Sequence, residues 1–92
     1  MRTTVIGLVT PHLLRIVDLA HQAQGGANVD WHVRDAVSST VSQLGEQFNA
    51  SSLIAAYIEG LETAAGRAPG IHTAYVESLR AAAAVARSLW RD

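Results

Sequence analysis

Apolar residues along this chain recur mostly at steps of three and four, the spacing of one helix face. The longest such stripe runs through Ile71, Tyr75, Leu79, Ala82, Ala86 and Leu89, with His72, Thr73, Glu77, Arg80 and Arg87 mostly off it. Four consecutive alanines, residues 81–84, raise helix propensity and let another helix approach closely. The pattern predicts a final helix beginning near Pro69 to Ile71 and burying one face. The cleanest stripe is Val33, Val37, Val41, Leu44 and Phe48, with Asn28 or Asp30 as its cap and Asp30–Arg34 as a surface pair. A third face is Leu53, Ile54, Tyr57, Ile58 and Leu61. A first stripe runs through Leu13, Leu14, Val17 and Ala20, widened on one flank by Ile16 and Leu19.

The breaks between stripes carry turn chemistry. Thr10-Pro11 reads as an N-cap followed by proline at the first helical position, leaving residues 1–9 extended or β-prone. Gly25-Gly26 ends or loosens the first helix. Asn49-Ala50-Ser51-Ser52 reads either as a restart or as a soft spot in a longer helix. Gly66 reads as the residue just past a helix end, with Pro69 as the stop. Short connections make neighbouring helices antiparallel. The expectation is therefore a single all-α domain, residues 1–92, folded as an antiparallel helical hairpin or a small helical bundle.

Composition narrows what such a domain does. Of the 92 residues 49% are hydrophobic, but many are Ala and there is a single Phe, so a partner helix or a second copy would enlarge a thin core. The net charge of −1, with no Lys, argues against a general nucleic-acid or anionic-membrane binder. Without Cys, disulfides, zinc thiolates and thiol catalysis are excluded. No apolar run approaches the roughly 20 residues of a membrane span. Pro11, His12, Arg15 and Asp18 interrupt the early apolar patch too soon for a signal-peptide core, so export would use another route.

Candidate chemistry is sparse. Of His12, His21, His32 and His72, only His32 with Asp35 shares a helix at ligand spacing, and no HxxxH or HxxE pair lies on one face. Ser38, Ser39, Ser42, Ser51 and Ser52 lack a nucleophile elbow. Glu59 and Glu62 are spaced as solvated charges rather than as an acid–base dyad. Gly25-Gly26 lacks the rest of a phosphate loop. Trp31 and Trp90 read as interface anchors or as plugs at the core's ends. No catalytic, metal-binding or cofactor-binding residue is assigned, and no cofactor is implied. The expected core or partner interface is Val33, Val37, Val41, Leu44, Phe48, Tyr57, Leu61, Ile71, Tyr75, Leu79, Ala82, Ala86 and Leu89.

The segment His72-x-x-Tyr75-Val76-x-Ser78-Leu79-x-Ala81-x-Ala83 resembles the end of the PE domain, a helical-hairpin family exported by mycobacterial type VII (ESX) secretion. Asp35-x-Val37-Ser38-x-x-Val41-x-x-Leu44 is similar to the opening of that domain's second long helix, and Pro11-x-x-Leu14 to its start. Thr40 with Gln47-Phe48-Asn49 resembles the small ESX secretion-associated proteins. Tyr57 and Tyr75 are followed four residues later by Leu61 and Leu79, where the family's export signal has Asp or Glu. In such families one member of a heterodimer carries the signal for both.

The resemblance implies a non-enzymatic actinobacterial protein that pairs helix to helix with a protein partner, as a hetero- or homodimer. It would be secreted or displayed at the cell surface by a type VII system, with a cytoplasmic location as the alternative. No nucleic acid and no membrane span is expected. Two other readings stand beside it. One is a small DNA-binding regulator or antitoxin whose residues 2–6, RTTVI, would form a strand read into the major groove. The other is a homo-oligomeric helical adaptor.

Overall fold

A computed structural model describes residues 2–90, with side chains from residue 5 onward. It contains four helices: α1 (Arg2–Gln24), α2 (Asp30–Gly45), α3 (Ala50–Arg67) and α4 (Thr73–Leu89). The described residues are about 83% helical and include no strand. The protein is an all-α small bundle. Two helices of about 45 residues would make a hairpin ~65 Å long; the longest dimension here is 38 Å. The radius of gyration, 12.6 Å, is close to the ~12 Å of a closed domain this size.

The first helix starts earlier than the sequence suggests. Residues 2–9 are helical rather than extended, and Pro11 lies inside α1; Met1 lies outside the described residues. Val9, Ile16 and Ala20 are fully buried on one side and Val5 packs beside them. Burial of that line outweighs the proline, which removes one helical donor and leaves the Gly7 carbonyl unpaired in the ladder. Thr10 is no N-cap: its hydroxyl donates back to the Ile6 carbonyl at 2.6 Å. The buried line also has a different phase from the predicted stripe. It passes through Ile16, which was placed on the flank, while Leu14 is exposed.

Gly25-Gly26 does end α1. Gly26 has φ of 101°, and the N–H groups of Gly26 and Ala27 donate to the carbonyls of Ala23 and Gln22, each at 3.0 Å. This paired closure is the Schellman turn, which glycine adopts without steric cost. The Asp30 N–H then donates to Asn28 Oδ1 at 3.3 Å, so Asn28 organises the entry to α2.

The chain breaks again between Gly45 and Ala50, so the segment around residues 49–52 restarts a helix. Glu46 and Gln47 N–H close tight turns onto Gln43 and Leu44, and Phe48 falls in the connection. It therefore leaves the stripe to which its spacing assigned it. The end of α3 is set by Pro69 rather than Gly66, which lies within the helix. Proline disfavours a helical conformation in the residue before it, and Ala68 is extended with ψ of 145°. His72 N–H donates to Pro69 O at 3.0 Å, closing a turn that holds Ile71 outside α4.

Helix α4 packs against all three others, most extensively α3 and α1. Its buried Leu79, Ala82, Ala83 and Ala86 supply one large side chain and a small-residue floor. The start of α2 borders Ser78 and Ala81, and Trp90 at the far end lies 3.3 Å from where a Cβ on Gly45 would stand. Thus α2 and α4 run parallel, and α1, antiparallel to α2 across its turn, is antiparallel to α4. The N-terminus of α4 receives its cap from a distance. Tyr75 N–H donates to Gln24 Oε1 on α1 at 3.1 Å, while His72 makes no side-chain cap.

Candidate functional site

Two helices bring a polar group into the core, and a third brings one to its edge. Thr40 of α2 is buried, and its hydroxyl lies 3.1 Å from His12 Nδ1 of α1. Tyr57 of α3 is fully buried, with the Thr40 hydroxyl near enough to act on its own hydroxyl but not aligned to complete a hydrogen bond. Burial pushes the Tyr57 phenol up to about 12, against smaller opposing effects of the Thr40 hydroxyl and the Arg15 charge. Burial, aided by Arg15, also holds the His12 imidazole below its ordinary value. The chemical consequence is a neutral Tyr57 phenol sealed from solvent, with the half-buried His12 at the edge of the cluster. A fully enclosed phenol that resists ionisation cannot reach a substrate, so this cluster reads as core architecture.

The other sequence candidates separate. Among the described residues no three His, Asp or Glu side chains converge as metal ligands, so His21, His32 and Asp35 do not form a site. Glu62 pairs with Arg87 of α4 at 2.7 Å, which removes it from any carboxylate pair with Glu59. Neither Arg15–Asp18 nor Asp30–Arg34 forms an ion pair; Asp18 instead accepts from Gln22 Nε2 at 3.1 Å. Ser39 accepts from Gln43 on its own helix. His21 and Tyr75 meet as tilted rings with centres 4.8 Å apart, and His72 meets Tyr75 edge-on at 6.5 Å. Trp90 plugs the end of the core against Gly45, with its Nε1 buried and unpartnered. Trp31, by contrast, is exposed.

The expected interface residues divide in an informative way. Val33, Val37, Val41, Leu44, Tyr57, Leu61, Leu79, Ala82 and Ala86 are buried, and Tyr75 is half-buried. The bundle therefore consumes them internally. Phe48 at 107% exposure, Ile71 at 82% and Leu89 at 49% do not belong to the core. The reasons are local: Phe48 and Ile71 sit in turns, and Leu89 is the last residue of α4.

Two surfaces left by this packing were not marked by the stripes. One is a groove between α2 and α4, edged by Trp31, Arg34 and Val85. The other lies between α1 and α3 and is predominantly apolar. Val5, Ile6, Val9 and Leu13 form one wall, and the small residues Ala56, Gly60 and Ala64 form the other. Leu13 fills the space above Gly60, coming within 2.7 Å of where a Cβ would be. Finding this groove from sequence requires the true phase of α1, which puts Ile6 and Leu13 on the flank beside the buried line.

Comparison with protein-family models, curated proteins and solved structures finds no match to this chain.

Proposed function

We propose that this is a non-enzymatic helical protein that acts by pairing with another protein, and that it belongs with type VII secretion substrates or their companions. The pairing reading is carried by the apolar groove between α1 and α3. There Ile6 is 60% exposed, and Ala56 and Ala64 leave the α3 wall low on either side of the Leu13–Gly60 contact, a shape that accepts a further helix. Exposed Phe48, Ile71 and Trp31 add apolar surface elsewhere. Scattered exposed apolar residues are ordinary, whereas a continuous groove marks an interaction site. The type VII assignment rests on the resemblance around His72, Tyr75, Ser78 and Leu79.

The strand on which the regulator reading was built is replaced by the first turns of α1, so no specific observation favours DNA binding. The test is localisation coupled to pairing. The protein is expressed at native level in its host, with and without the type VII motor ATPase, and quantified in culture filtrate against a lysis control. Motor-dependent export, with partner capture lost in Ile6→Asp, is the expected result. Equal retention in both strains would refute the secretion assignment. Capture indifferent to Ile6→Asp would refute the groove.

A further inference from the structure

We infer that the occupant of the α1/α3 groove is a second copy of this chain, docked about a two-fold axis at Thr63. The inference rests on the pairing reading above and names its partner. The exposed edge of the groove on α3 carries Glu59, Thr63 and Arg67, spaced by one helical turn each. Residues four apart lie on one helix face. Among the described residues neither Glu59 nor Arg67 has an ion-pair partner, in contrast to Glu62 one turn away, which holds Arg87.

The groove thus presents an acid and a base at equal distances from a central threonine. An occupying helix must offer the reverse order, a base opposite Glu59 and an acid opposite Arg67. The same α3 run antiparallel offers that order. A two-fold axis at Thr63 places Glu59 against Arg67 of the second copy and Arg67 against its Glu59. Such an interface is self-complementary, as a closed dimer requires. About that axis residues 59–67 of the two helices face one another, and the exposed Ile6 of each α1 covers the flank. The first effect is attraction and register; the second covers apolar surface, which provides the driving force.

The test uses surface substitutions that leave the core alone. Purified wild-type protein is followed by sedimentation equilibrium from 1 μM to 1 mM. Glu59→Arg and Arg67→Glu are each expected to weaken self-association at least tenfold, since each sets two like charges against each other. Mixing the two variants is expected to restore it, because each then supplies what the other lacks. Thr63→Cys, the sole thiol in a chain without cysteine, is expected to give a disulfide-linked dimer on mild oxidation. A wild-type protein monomeric to 1 mM, or a dimer indifferent to both charge reversals, would overturn the second-copy assignment. A photo-crosslinking residue at position 63, used in the host cell, separates the two readings. Crosslinks to a different protein would overturn the second copy and leave pairing intact. Absence of both crosslinks and self-association would overturn pairing as well.

Discussion

Tyr57 places a hydroxyl where neither solvent nor a well-aligned protein group completes its bonding, the Thr40 hydroxyl lying nearby. An unsatisfied buried polar group costs roughly 1–3 kcal/mol, so Tyr57→Phe is expected to stabilise the fold by about 1 kcal/mol in urea unfolding. A loss of that size would instead show that Thr40 bonds the phenol. Folding keeps this phenol protonated above its ordinary 10.0, to about 12. The stability linked to it is complete below pH 10 and is lost as pH rises toward 12, at most ~1.4 kcal/mol per pH unit. Tyr57→Phe should flatten that alkaline decline. His12 works at the other end of the scale. Its folded value is depressed below 6.5, so the unfolded chain takes up the proton first. Stability is full above pH 6.5 and falls as the pH drops through the folded value. A His12→Gln variant should lose less stability than wild type between pH 7 and pH 5. The spacing of Leu53, Tyr57 and Leu61 marks Tyr57 as a core residue. The cluster was not legible, because Thr40 and His12 reach it from other helices and share no local pattern with it.

Helix ends show where local signals decide and where packing overrides them. Gly25-Gly26 was readable because only glycine enters the positive-φ turn cheaply. Thr10-Pro11 misled because the cap signal is local, whereas Val5, Val9 and Ile16 bury a line that continues through the proline. Gly66 misled for the opposite reason: the stronger stop, Pro69, lies three residues on and acts through Ala68. The cap of α4 could not be read at all, since Gln24 lies 51 residues from Tyr75. Gln24→Ala is expected to cost about 1 kcal/mol, the usual worth of a lost cap. It should also raise amide exchange in the first turn of α4 with little effect on α3. An unchanged exchange rate at Tyr75 would mean that water replaces Gln24 without penalty.

At the scale of the molecule, the stripes foretold an all-α bundle and most of its core. They did not foretell which faces remain outside. Leu44 and Leu79 looked like partner contacts because any apolar helical face can be covered by its own chain or by another. Their burial, 4% and 0% exposed, assigns them to the interior. Substituting them therefore tests folding and not association. Leu79→Ala is expected to cost ~2–5 kcal/mol, a large share of the 5–15 kcal/mol typical of a whole domain. In a chain this short that corresponds to a fall of at least ~8 °C in Tm by calorimetry. A smaller change would mean that the alanine-rich surroundings collapse into the space. Glu59, Thr63 and Arg67 are the positions to alter when association is the question.

The central place of α4 also governs when the protein becomes a folded object during its synthesis. The first three helices meet a common neighbour that is made last of the four, and the first turn of that neighbour takes its cap from α1. While α4 is still inside the ribosome, α1, α2 and α3 can pack on one another, but the parts of their apolar faces that α4 covers lie open. Native structure is thus acquired in one late step, and a nascent chain stalled before residue 73 should be held by chaperones and cut by proteases that spare the finished protein.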